Sequence, residues 1–474
     1  MYAATIREHE GTFYVICEYL GSDMKAGVLF KTTDPFDDSA WSDAVTFDAP
    51  KIDPDIFWDE DGKVYVATQG IIIQEMNIDT GDMGPATALW NGTGGVWPEG
   101  PHLYKKDGWY YLLIAEGGTA EDHAVTMARS KKILGPYHPS PHNPHLTNRG
   151  TSEYFQTVGH ADLFQDLQGN WWSCALATRV GPNGPNGTSS SFPMGRETVL
   201  VPVTWEENAW PVFQPVRGRM EGWELPARSR DLPGDDGPFN SDPDVYDFEE
   251  GSAIPRNLVY WRVPLPGAFE TTSKGLQVTL NRNNLLGSPG GSEPANRAIS
   301  FIGRRQTDST FNYSVDLSFS PTADGQEAGV TAFLWQTANI HLGLTQMDGK
   351  LALRFNSTEQ SNKTIPVPAT WAGQSVCLQI NMPDVRTFAF SAMLASDAQS
   401  KIEVGNADAS QLSPGGSFVG TLIGVYATCN GAGEGLECSP DTPKAYFDKW
   451  RYTGVSQKIS AIESVASEEF NKGY

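Results

Sequence analysis

Four stretches of the chain share one layout: YAATIREHEG (2–11), DPDIFWDEDG (53–62), EGPHLYKKDG (99–108) and HADLFQDLQG (160–169). Nine residues before its closing glycine, each opens on a side chain that can do chemistry or stack on a ring: Tyr2, Asp53, Glu99 and His160. The position four further on is apolar in every case (Ile6, Phe57, Leu103, Phe164), and an aromatic follows three residues past each glycine (Tyr14, Tyr65, Tyr111, Trp172). Two apolar runs joined by a polar, glycine-ended turn predict a hairpin. The glycines lie 51, 46 and 61 residues apart, the period of propeller blades. Equivalent positions in such a ring face a common axis, so one pocket would collect all four side chains.

Composition points the same way. The 474 residues are enough for two or three domains with substantial cores. With 48 glycines, 32 prolines, 14 tryptophans and 19% charged residues, the chain reads as all-β with many tight turns. A net charge of −23 opposes nucleic acid and other polyanions as partners and is compatible with a neutral polysaccharide. No apolar run approaches the roughly 18 residues of a membrane-spanning helix, and Met1 leads directly into a strand pattern rather than a signal peptide. Cys429 and Cys438 flank a glycine-rich loop that a disulfide would close in an oxidising compartment, whereas Cys17, Cys174 and Cys377 sit in apolar strand patterns as free thiols. N-x-S/T triplets at Asn91, Asn186, Asn312, Asn356 and Asn362 also suit an extracellular protein.

The domain plan follows from the change of pattern along the chain. Residues 1–226 hold the repeats and are assigned to a β-propeller. Residues 227–244, rich in Pro, Gly and Asp, read as a linker. Residues 245–454 carry alternating strands such as FNYSVDLSFS, GVTAFLWQT, LALRF and SVCLQINM with no helices between them, which predicts a β-sandwich. Residues 455–474 are expected to form a tail or a short helix.

Breaking a glycosidic bond takes one carboxylic acid to protonate the leaving oxygen and one carboxylate to activate water or to attack. Glu99, between Trp97, Pro98 and Pro101, has surroundings that could desolvate a carboxyl and raise its pKa. Asp53 occupies the same register one blade earlier, with Asp55 two residues on as its rival. A lone carboxylate is ordinarily a solvated turn residue; the shared register distinguishes Asp53 and Glu99 from Asp59, Glu60 and Asp61. His160 would orient a carboxylate or ligate an ion on the axis, where a lone histidine is otherwise structural. Arg196 precedes a strand and would clamp sugar hydroxyls, its ordinary role being a surface partner of Glu197. Tyr2 and Trp97 would stack on a sugar ring or serve as core aromatics.

In the segments IDPDIFWDEDGKVYV, WPEGPHLYKKDGWYYLLIAEGGT, GHADLFQD and MGRETVLVPVTW, taken in this order, the chain resembles glycoside hydrolase family 43, in its β-xylosidase/α-L-arabinofuranosidase branch. The resemblance runs over about the first 225 residues and more faintly over the sandwich. It implies a five-bladed propeller and an inverting enzyme. By motif position Glu99 matches the general acid, Asp53 the aspartate that tunes and orients it, and Arg196 a substrate-binding arginine. His160 matches a histidine near the axis, which leaves room for a structural calcium beside it; no redox cofactor is implied.

The resemblance also carries a departure. The family's general base lies on the first blade, upstream of the segment matching YAATIREHEG. The expectation is therefore a five-bladed-type propeller with its first blade largely missing, followed by the sandwich, and an activity impaired in this chain. The expected substrates are xylo-oligosaccharides or arabinoxylan, losing terminal β-D-xylosyl or α-L-arabinofuranosyl residues, and the full-length protein is expected outside the cell. The rival reading is a non-catalytic carbohydrate-binding or kelch-like interaction propeller. The glycine pairs at 94–95 and 117–118 favour it, but kelch repeats carry the doublet after every hairpin and here only WYYLLIAEGG does.

Overall fold

In the computed structural model the chain separates into two compact units, Met1–Thr178 with Glu197–Pro233 and Arg179–Arg196 with Gly234–Tyr474. The structure describes residues 2–20, 25–179, 193–219, 222–224, 243–287, 298–357, 363–413, 418–435 and 437–471. The expected linker, apart from 243–244, lies largely outside the described residues, as do Asn186 and Asn362. Among the described residues no helix is long and apolar enough to cross a membrane.

The first unit is built on four antiparallel four-stranded sheets, each a meander in chain order. Their leading strands are Tyr2–His9, Asp55–Trp58, Glu99–Lys106 and Phe155–Gln165, so the four repeated segments start the four blades. The first leading strand packs on the second, the second on the third and the third on the fourth. The hairpin glycines explain themselves by backbone conformation: Gly11, Gly62, Gly108 and Gly169 all have φ between +68° and +84°. Glu10 and Asp107, just before two of them, are also left-handed at +51° and +54°, the two-residue turn whose twist suits a hairpin. The aromatics after the turns are all buried and fill the layers between sheets. One layer joins Tyr14, Ile16, Leu29, Phe47, Ile56 and Val66; the next joins Tyr65, Ile73, Leu103, Tyr110, Leu112 and Ile114. The fifth-position residues are covered unequally. Leu103 is 4% exposed, while Ile6 and Phe164, on the first and last sheets, are 55% and 43% exposed.

The second unit is a sandwich of a nine-stranded and a seven-stranded antiparallel sheet. Alternate residues of both sheets, among them Val315, Leu317, Val330, Leu342, Leu378, Phe390, Val425 and Phe447, form its core, the in–out alternation of a two-sheet fold. Cys429 and Cys438 form a disulfide; Cys17, Cys174 and Cys377 are not disulfide-bonded. The segment expected as a tail or a short helix is docked. Strand Ala445–Lys458 runs past residue 454, Ser464–Ala466 folds back on it, and a short helix Ser467–Asn471 follows. The anchors are Ile459, which is buried, and the Ser467 hydroxyl, which donates to Asp308 at 2.6 Å. The sequence pattern of this stretch showed its few apolar residues but not the hydrogen-bond partner that holds them.

Candidate active site

Asp53 lies two residues before its leading strand, Glu99 opens its own and His160 sits within Phe155–Gln165, and contacts bring the three together. His160 Nε2 lies 3.3 Å from Asp53 Oδ2. The His160 ring also lies directly over Gly100: a Cβ there would stand 2.6 Å from its Cε1. Gly100 has φ +54° as well, so the residue after Glu99 needs glycine for both space and conformation. Asp53 and His160 are themselves left-handed at +57° and +50°. Such conformations in non-glycine residues cost energy that the surrounding fold must supply, and they concentrate at functional sites.

The backbone fixes the spacing of the two carboxylates. Gln69 N donates to Ile52 O at 2.9 Å and Gly70 N donates to Pro98 O at 3.0 Å. A two-residue segment following strand Val64–Thr68 thus ties the residue before Asp53 to the residue before Glu99. The Gln69 side chain completes the arrangement, its Nε2 donating to Glu99 Oε2 at 3.2 Å. Asp53 and Glu99 are both buried.

Trp97 is 66% exposed with φ +50°, and its indole lies across Gly118, where a Cβ would stand 3.3 Å from Trp97 Cε3. Its loop is mounted on the buried carboxylate of Glu116. One oxygen accepts from Thr93 N at 2.8 Å and Gly95 N at 3.0 Å; the other accepts from the Thr93 and Thr126 hydroxyls. Gly117 N then donates to Val96 O at 3.0 Å. A second imidazole, His123, sits over Gly159 with its ring centroid 6.4 Å from that of His160, and its Nδ1 is 2.9 Å from Thr157 O.

Directly along the axis from these residues the four leading strands are tied by an ion-pair network. Arg7 reaches Asp162 at 2.6 Å and Asp55 at 2.9 Å. Asp55 also accepts from Leu103 N at 3.2 Å, and Asp162 accepts from the Tyr104 hydroxyl at 2.6 Å. Asp55, the rival of Asp53, is engaged as an anchor between strands. Burial alone would raise the Asp162 pKa, but His102 and Arg7, with hydrogen bonds from Arg7 and Tyr104, hold it down at about 2. Burial opposes a charge on Arg7 too, yet Asp55 and Asp162 hold its pKa well above the ordinary value. At His102 the same two carboxylates outweigh burial and Arg7 and raise the pKa.

The remaining expected residues are placed differently. Arg196 opens strand Arg196–Thr204 but groups with the second unit, its guanidinium 3.9 Å over the Phe418 ring. The backbone of Tyr2 opens the first leading strand opposite Glu18; its side chain lies outside the described residues. A calcium ion takes six to eight oxygen ligands, whereas the side chains placed around His160 are one carboxylate and a second imidazole. Among the described residues no group of three or more His, Cys, Asp and Glu is set to hold a metal. The expected calcium does not fit this set, and no step below passes through one. Gln69, Glu116 and His123 went unread in the sequence. A glutamate ending the apolar run WYYLLIA before Gly-Gly was the one available signal.

Asp53 and Glu99 are thus two buried carboxylates, one against an imidazole and one against an amide, the residue type that glycoside hydrolysis draws on. Comparison with known proteins gives the family. The model of "Glycosyl hydrolases family 43" matches residues 1–211, and that of "Beta xylosidase C-terminal Concanavalin A-like domain" matches residues 245–453. The chain is 33% identical to a xylosidase/arabinosidase of Butyrivibrio fibrisolvens, covering 91% of this chain and 83% of that protein. It is 32% identical to a non-reducing end α-L-arabinofuranosidase of Bacteroides ovatus, covering 91% and 78%. A solved structure, the Bacteroides ovatus xyloglucan-locus GH43B, superposes with a TM-score of 0.79 at 30% identity, covering 96% of this chain and 85% of that one. With four blades followed by a concanavalin A-like sandwich, and with relatives of this identity along nearly its whole length, the chain belongs to glycosyl hydrolase family 43.

Proposed function

We propose that this hydrolase removes single β-D-xylosyl or α-L-arabinofuranosyl units from the non-reducing ends of xylan-type oligosaccharides, with inversion at the anomeric carbon. The observation that carries the reading is the meeting of Asp53, Glu99 and His160, joined to the names of the relatives. Glu99 protonates the leaving oxygen. Asp53, held by His160, orients it and tunes its acidity. Trp97 offers its exposed ring to the sugar, and Arg196 and Tyr2 are assigned to substrate binding. The Cys429–Cys438 disulfide supports an extracellular setting.

The test is hydrolysis of aryl β-D-xyloside and aryl α-L-arabinofuranoside by the 474-residue chain, run beside a version extended upstream. NMR of the first-formed sugar is expected to show the opposite anomer. Retention of configuration, or pentose binding without turnover in either form, would overturn the reading. Turnover confined to the extended form would assign the general base to the upstream segment.

Glu116 gives a further prediction. Glu116→Gln replaces one acceptor oxygen by a donor facing N–H and O–H groups, at a cost of about 1–3 kcal/mol. Because that carboxylate mounts the Trp97 loop and touches no reacting atom, KM is expected to rise roughly tenfold while kcat changes less than about threefold. Steady-state kinetics on the aryl pentoside decides this; a fall confined to kcat would mean that Glu116 acts on the chemistry.

A further inference from the structure

The outward face of the seven-stranded sheet in the second unit carries a cavity of about 200 Å³. Its polar lining comes from four adjacent strands. Glu327 lies on Glu327–Trp335, His341 on Ala338–Met347, Arg354 on Lys350–Asn356, and Tyr426 with Thr428 on Leu422–Thr428. On the same strands Val330, Leu342, Leu353 and Val425, each an odd number of residues from a member of the polar set, face the sandwich core, so the polar set belongs to the opposite face. Gly343 lies opposite Arg354 in register, and a Cβ there would stand 2.5 Å from Glu327 Cγ. The glycine therefore lets the Glu327 side chain lie across the strand to its ion pair with Arg354. The Tyr426 hydroxyl donates to the other oxygen of Glu327. Asn284, on the rim, donates to Asn430 at 2.9 Å, and Leu285 and Leu286 give the wall an apolar side.

The charges in this cavity cancel. Glu327 and Arg354 offset each other, and burial lowers the His341 pKa to about 3, leaving a neutral imidazole. A cation would meet Arg354 and an anion would meet Glu327, whereas a neutral molecule rich in hydroxyls meets donors and acceptors of both kinds. An ion pair on a buried sheet face is also costly beside an apolar pair of similar size, so stability alone is a weak reason for it. Pockets for drug-sized ligands run to roughly 300–1,000 Å³, which makes this one the size of a single sugar ring.

We infer that this cavity is a second, non-catalytic sugar site taking one pentosyl unit. The choice of pentose rests on the proposed pentosidase activity; the neutral polyol chemistry does not.

The full chain carrying Glu99→Gln, which blocks turnover, is titrated calorimetrically with D-xylose, L-arabinose and xylobiose. Two binding events per chain are expected for at least one of these sugars. Adding Asn284→Ala or Thr428→Val should weaken one event at least tenfold and leave the other unchanged. In the otherwise unsubstituted chain both variants should hydrolyse aryl pentoside within twofold of the parent. Binding that Asn284→Ala and Thr428→Val both leave intact overturns the inference, as does no binding of any of the three sugars. A crystal soaked in xylobiose adds a direct test, with sugar expected beside Glu327 and Arg354. Hydrolysis together with binding that neither variant weakens sinks this site and spares the catalytic reading; cavity binding without hydrolysis does the reverse.

Discussion

Glu99→Gln, made in whichever form of the chain turns over aryl pentosides, is expected to lower kcat on xylobiose by about 10³-fold, within the range for loss of a general acid. The amide fills the same space, and rotated about its last bond it presents an oxygen to Gln69 Nε2, which now donates to Glu99 Oε2 at 3.2 Å. Binding should therefore survive while the proton is lost. The loss must depend on the leaving group. A sugar alkoxide cannot depart without a proton, whereas a dinitrophenolate can, so on the dinitrophenyl pentoside the fall should shrink to roughly tenfold or less. Asp53→Asn should follow the same pattern with a smaller loss. Asp53 contacts His160 and is cast as the carboxylate that orients and tunes Glu99, so its loss should also weigh more on xylobiose than on the dinitrophenyl pentoside. Equal losses for Glu99→Gln on the two substrates would remove Glu99 from the role of acid.

The chain made some of this legible before any coordinates. A left-handed glycine shows in sequence as Glu-Gly, Asp-Gly or Gln-Gly between apolar runs, and counting back from it gives Asp53, Glu99 and His160 a shared register. Contacts that depend on ring closure left no such trace. Arg7 reads as an ordinary strand residue until the four leading strands are laid side by side and it faces Asp55 and Asp162 together. Gln69 reaches Glu99 from the end of a neighbouring strand, a position that no repeat marks. Arg196 stands out by its motif alone; the repeat does not show that its guanidinium lies over the Phe418 ring. In the sandwich, EAGVTAFLW reads as a largely apolar strand after its first residue. Only the glycine-paired register shows why that first residue, Glu327, is buried with Arg354.

The largest expected effect on stability lies in the Arg7 network. Arg7→Met would leave Asp55 and Asp162 facing one another without their shared cation, and breaking such a pair from one side costs about 3–5 kcal/mol. Asp162→Asn is milder. It keeps the shape and an acceptor for Tyr104, and loses the advantage the fold gives the ionised form. The Asp162 pKa of about 2 lies below the ordinary 3.8, so that contribution is fully present above about pH 4 and disappears as pH falls through 2. The difference corresponds to about 2 kcal/mol. Urea unfolding of the parent should therefore lose stability between pH 4 and 2 more steeply than Asp162→Asn does, and the two curves should converge at the acid end. His102 acts in the other direction. Its raised pKa supplies stability below about pH 6.5 that fades as the pH rises through the raised value. The network is fully engaged in the window between these limits. Its consequence for catalysis follows from chain position: Asp55 stands two residues after Asp53, Asp162 two after His160, and His102 three after Glu99. Loosening Arg7 releases the strands that aim all three, so Arg7→Met should lower kcat at temperatures well below its unfolding midpoint. Unchanged kinetics in a destabilised Arg7→Met chain would confine the network to a structural role, and parallel acid limbs for the parent and Asp162→Asn would remove Asp162 as the acid-sensitive group.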